Sequence, residues 1–178
     1  MAFKEKAVKR LAEKLNAAGV HYQLGAGFLM DRLGVCEGFH DVDVFVPAEE
    51  TAAADKVLTR LGMRSEPTEI NGCFRASYHF DGTEVDLCAG MAFDGGLTAV
   101  LGAESVCETV PFLGTQLPLG YPEDWFVWYA LMGREAKVQA LENWFRARGV
   151  AHPERFRQCV RGELPESVAA RVDQLLGS

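Results

Sequence analysis

From Asp41 to Val46 the sequence DVDVFV alternates with a period of two. That period predicts a strand with Val42, Val44 and Val46 on a buried face and Asp41 and Asp43 together on the other. Before it, Ala7, Leu11, Leu15 and Ala18 recur every three to four residues among lysines and glutamates, predicting an amphipathic helix over Phe3 to Ala18 that stops at Gly19. A short strand follows at Val20 to Leu24, then the turn Gly25-Ala26-Gly27 and a short helix from Phe28 to Leu33. Beyond Pro47 a helix is predicted from Ala48 to Leu61, with Ala53, Val57, Leu58 and Leu61 inward and Gly62 closing it.

The segment Met63 to Thr68 matches neither period. Cys73 to Phe80 and Thr83 to Leu87 read as two strands joined by Asp81-Gly82, a strong tight-turn signal. Ala89 to Gly102 is glycine-rich and reads as loop, and Val106 to Phe112 with Gln116 to Leu119 reads as a further hairpin turning at Gly114. Pro122-Glu123-Asp124 opens a helix with an apolar, aromatic side of Trp125, Trp128, Tyr129 and Met132. Helices are expected at Glu135 to Arg148, Pro153 to Arg161 and Pro165 to Leu176, which makes the last third entirely helical.

Composition narrows what such a chain can do. With 178 residues, 48% of them hydrophobic, it can bury one compact core, with or without a helical appendage. A formal net charge of -7 argues against a surface that tracks a nucleic-acid backbone, so action on a small molecule is favoured. No apolar run approaches the roughly 20 residues that span a bilayer, and MAFKEKAVKR lacks an apolar signal core, so a cytoplasmic location is expected. The cysteines, Cys36, Cys73, Cys88, Cys107 and Cys159, are odd in number and widely spaced, which predicts reduced thiols rather than a zinc site or a disulfide framework.

Asp41 and Asp43 would stand roughly 7 Å apart on one face, which is costly unless water or a cation neutralises them. A solvated sheet face would explain a lone D-x-D. A third carboxylate, Asp86 in Thr83-Glu84-Val85-Asp86-Leu87, points instead to a site for Mg²⁺ or Mn²⁺ built from oxygen ligands on two strands. A D-x-D-x-T phosphatase is excluded by Phe45. A histidine–aspartate phosphohydrolase is disfavoured because His40-Asp41 begins a strand, whereas a metal-dependent glycosyltransferase stays open. The Gly25-Ala26-Gly27 turn fails the dinucleotide pattern G-x-G-x-x-G at Met30; it would let backbone amides approach a phosphate, and a ligand-free tight turn explains it equally.

The ordered set of helix, strand, glycine turn, short helix, DVDVFV strand, helix and a later strand carrying Asp86 resembles the polymerase-beta-like nucleotidyltransferase superfamily. The likeness is greatest to small bacterial members such as aminoglycoside and lincosamide adenylyltransferases and toxin-type relatives, and it covers roughly Ala7 to Leu87, more loosely to Lys137. It implies an α+β fold: a small mixed sheet flanked by helices over residues 1–120, and a C-terminal helical region over 121–178. It further implies metal-dependent transfer of an NMP, AMP first, from an NTP such as ATP to a hydroxyl of a small molecule. Asp41, Asp43 and Asp86 take the place of the catalytic, metal-holding carboxylates, with Asp86 as the base toward the acceptor. Gly25 and Ala26 take the place of the phosphate-binding turn, where the family has a second Gly or Ser. Gly133-Arg134-Glu135-Ala136-Lys137 is a rough echo of a basic helix, which makes Lys137 a candidate for the nucleotide; solvated helix charges are the other reading. The same resemblance admits a noncatalytic binding or regulatory protein of this fold, related to toxin–antitoxin pairs. The base of the NTP, the acceptor and homodimer formation through Trp125, Trp128 and Trp144 stay open.

Overall fold

In the computed structural model, which describes residues 3–70 and 72–177, α1 (Phe3–Ala17) leads to β1 (Gln23–Leu24), α2 (Ala26–Arg32), β2 (Val42–Val46) and α3 (Thr51–Thr59). The strands β3 (Met63–Arg64), β4 (Thr68–Ile70), β5 (Cys73–Phe80), β6 (Thr83–Ala89) and β7 (Thr98–Ala99) follow, then the hairpin β8 (Val106–Phe112) and β9 (Thr115–Gly120). Three helices, α4 (Pro122–Leu131), α5 (Glu135–Arg148) and α6 (Arg155–Gln158), precede β10 (Val160–Arg161) and α7 (Glu166–Leu176). Met1, Ala2, Asn71 and Ser178 lie outside the described residues.

Eight strands form one mixed sheet in the order β3-β5-β6-β2-β1-β9-β8, with β4 also pairing β5. The pairs β2–β6 and β1–β9 are parallel and the others antiparallel. This is the mixed, helix-flanked α+β architecture expected. The period-two reading holds to the residue: Val42, Val44, Val46, Val85 and Leu87 are fully buried. On that side of the sheet Tyr78 donates its hydroxyl to Asp55 of α3, and α1 packs across β6 and β9. Asp81 and Gly82 both take positive φ in the β5–β6 turn, the geometry that matches the twist of paired strands. Asp81 there meets Arg10 of α1 at 3.4 Å.

α4 lies against the opposite face, where its aromatics form the core. Trp125 packs edge-on to Phe45 at 4.9 Å and to Trp128 at 5.1 Å, and Phe126, Phe145 and Phe156 join α4, α5 and α6. Trp125 and Trp128 are fully buried within the chain, and Trp144 donates its indole N–H to the Leu33 carbonyl at 3.0 Å.

Several sequence expectations are corrected. The last third is not all helical, because β10 pairs antiparallel with β7, itself inside the stretch read as loop; two-residue strands have no period to detect. Only Arg155–Gln158 of Pro153 to Arg161 is α-helix. The helix after Pro47 begins with a 3-10 turn at Ala48–Glu50 and ends at Thr59; its buried side is Ala54 and Leu58, Leu61 is buried just beyond it, and Ala53 is exposed. Ala18 lies exposed beyond α1, and Met132, expected with the apolar side of α4, is exposed at its end. The segment without a clear period, Met63 to Thr68, contributes edge strands to β5.

Candidate active site

Register on the open face of the sheet builds the site rung by rung. Asp43 of β2 lies beside Asp86 of β6, which lies across from Ser77 of β5. One rung on, Phe45, Cys88 and Arg75 stand side by side on the same face. Asp41, in the bend just before β2, completes a cluster in which one carboxylate oxygen from each of Asp41, Asp43 and Asp86 lies within 4.8 Å of the others. These three aspartates are the group able to hold a metal ion among the described residues. Asp86 Oδ1 is buried without a hydrogen-bond partner among the described residues.

Electrostatics follow from that crowding. Burial, then repulsion by Asp41 and Asp86, pushes the Asp43 carboxyl up to about 7, with Arg75 pulling the other way. Burial likewise pushes the Cys88 thiol up to about 12, so the hydrogen bond it accepts from the Arg75 guanidinium is to a neutral sulfur. A carboxylate trio kept unpaired at this cost has the donor chemistry of a hard divalent cation site.

Asp43 of the trio lines a cavity of about 730 Å³, together with Ala26, Phe45, Ile70, Arg75, Met91, Trp125, Tyr129, Met132 and residues 134–137, a volume suited to a small ligand. Lys137 therefore reaches the same cavity as Asp43, together with Arg134, whose N-terminal position on α5 follows from the glycine break at Gly133. Ala26 lines the cavity and Gly25 does not. The glycine at 25 has a packing reason: its backbone is extended, but an added Cβ would sit 2.2 Å from the Trp125 ring. Ala26 takes φ +46, a left-handed conformation that costs a side chain about 1–2 kcal/mol.

Arg75, Ile70 and Met91 lie outside the residues that the sequence marks for the site, and Tyr129 reads there as part of the apolar side of α4. Only Arg75 carried a usable signal: Arg75, Ser77 and His79 alternate with buried Ala76, Tyr78 and Phe80, and the Asp81-Gly82 turn sets which of them stands beside Asp86.

No protein-family model matches the chain, and no curated protein matches its sequence. Solved structures do match in fold. A candidate nucleotidyltransferase from Thermotoga maritima is 15% identical over 80% of this chain and 92% of its own, with a TM-score of 0.60. The ANT(2")-Ia protein, solved with adenylyl-2"-tobramycin, is 15% identical over 99% of this chain and 98% of its own, with a TM-score of 0.59. The lincosamide antibiotic adenylyltransferase LnuA, solved with lincomycin bound, is 13% identical over 77% of this chain and 95% of its own, with a TM-score of 0.54. The chain has the fold of these nucleotidyltransferases.

Proposed function

We propose that the chain is an enzyme, a divalent-metal-dependent nucleotidyltransferase that moves an NMP, AMP first, from an NTP to a hydroxyl of a small molecule. The observation that carries this reading is the convergence of Asp41, Asp43 and Asp86 to within 4.8 Å, with Asp43 lining a cavity that also receives Arg134 and Lys137. The adenylyltransferase neighbours add support at the level of fold.

Asp41, Asp43 and Asp86 would hold Mg²⁺ or Mn²⁺, which when bound neutralises triphosphate oxygens. Lys137 and Arg134 supply positive charge to the β- and γ-phosphates from the start of α5, and the Gly25-Ala26 turn lets the chain approach them closely. Asp86 accepts the proton of the acceptor hydroxyl as that oxygen bonds to the α-phosphorus and the bond to the bridging oxygen breaks, releasing pyrophosphate. The protein's share is positioning and charge.

The test is a melting-temperature panel of ATP, GTP, CTP and UTP, with and without Mg²⁺ or Mn²⁺, on wild type and Asp43→Asn. A metal-dependent rise with one nucleotide, absent in the variant, is expected because ligands that bind only the native state stabilise it. No rise with any combination would overturn the reading in favour of a noncatalytic binding protein.

A further inference from the structure

Positive charge reaches the cavity from two elements, and only one has a role so far. Arg134 and Lys137 enter it from α5, and Arg75 enters from β5. The strand order sets Arg75 apart from the Gly25-Ala26 turn: that turn leaves β1 next to β2, whereas β6 and then β5 lie beyond β2 in the opposite direction. The Arg75 guanidinium donates to the Cys88 sulfur, and among the described residues no carboxylate comes close enough to form an ion pair with it. A partly buried guanidinium lining a ligand-sized cavity keeps donors for a planar, bidentate acceptor such as a carboxylate or phosphate.

Nucleotidyl transfer at the carboxylate trio, the reading on which this rests, puts the attacking and leaving oxygens on opposite sides of the α-phosphorus. With pyrophosphate leaving over the Gly25-Ala26 turn, the hydroxyl enters over β6 and β5. We propose that Arg75 binds an anionic group, a carboxylate or a phosphate, on the hydroxyl-bearing acceptor. Ile70, 55% exposed and lining the same cavity, gives that side an apolar rim for the acceptor's carbon skeleton. The acceptor class is thus an anionic hydroxyl compound, and a polycation is disfavoured by the guanidinium.

The experiment loads wild type, Arg75→Gln and Arg75→Lys with Mg²⁺ and a nonhydrolysable NTP, measures that nucleotide's Kd, and titrates four probes calorimetrically: D-glycerate, glycerol 3-phosphate, neutral glycerol and polycationic tobramycin. The expected result is saturable binding of at least one anionic probe, weakened about 10- to 100-fold in Arg75→Gln, as loss of a charged hydrogen bond predicts. Partial recovery in Arg75→Lys and a nucleotide Kd unchanged within about threefold complete the expectation. Which anion binds distinguishes carboxylate from phosphate. Anionic probes that bind wild type and Arg75→Gln alike, binding of tobramycin alone, or a nucleotide Kd weakened tenfold or more in Arg75→Gln would each overturn the assignment. Wild type that binds no metal–nucleotide would instead bring down the transferase reading beneath it, a failure read in the first titration.

Discussion

Replacing Asp43 with asparagine should abolish turnover and yet stabilise the metal-free protein. The wild-type carboxyl is lifted from 3.8 to about 7 by burial and by its neighbours Asp41 and Asp86, which corresponds to a penalty on the charged form approaching about 4 kcal/mol. The folded-state value lies above the unfolded one, so this group stabilises the native state most below about pH 4, and the contribution is lost as pH rises toward about 7. Above pH 7 the penalty is fully felt. The isosteric amide carries no charge, and after allowing for its own imperfect hydrogen bonding we expect Asp43→Asn to be about 2–3 kcal/mol more stable than wild type at pH 8 and nearly equal at pH 4.5. Urea unfolding in EDTA at both pH values measures this. Asp124, which burial lifts to about 6 despite Arg155 on both its oxygens, titrates in both proteins, so the difference between them isolates Asp43. Mg²⁺ should then stabilise wild type and leave the variant unchanged, closing the gap. An Asp43→Asn protein equal to or less stable than wild type at pH 8 without metal would refute the claim that the trio is held under electrostatic strain.

Three further outcomes test neighbouring parts of the site. Gly25→Ala should cost about 1–3 kcal/mol by overpacking, since the new Cβ would lie 2.2 Å from Trp125, and Trp125→Phe in the same chain should recover part of it in a double-mutant cycle. Ala26→Gly should change stability by about 0 to +1 kcal/mol in urea, because relief of the left-handed strain at φ +46 is offset by the extra freedom of glycine when unfolded; a loss above about 1 kcal/mol would contradict the strain. Lys137→Ala should weaken metal–nucleotide binding about tenfold in calorimetry with little change in melting temperature, and an unaltered Kd would remove Lys137 from the nucleotide's surroundings.

The DVDVFV strand was legible because alternation over six residues fits no other element, and the Asp81-Gly82 turn made the strand bearing Asp86 legible with it. Arg75 beside Cys88 follows from the Asp81-Gly82 turn, whereas the register of β2 on β6, which sets Asp86 beside Asp43, is a pairing between distant segments and could not be read from either one. The same holds for Gly25, whose small size answers to Trp125, an aromatic far along the chain. Lys137 stood out only through a likeness in spacing, and it took the break at Gly133 to bring the start of α5 to the cavity. Strands such as Val160–Arg161 escape any sequence period by being two residues long.

That last strand bears on how the molecule is made. β10 pairs with Thr98–Ala99, just downstream of the strand that carries Asp86, and Trp128 donates to the Cys159 carbonyl beside it at 3.1 Å. During synthesis on a ribosome β2, β6 and all three aspartates leave the exit tunnel well before Trp128 and β10 do. A nascent chain thus displays the charged cluster before α4 and the start of α5, which line the cavity beside it, have emerged.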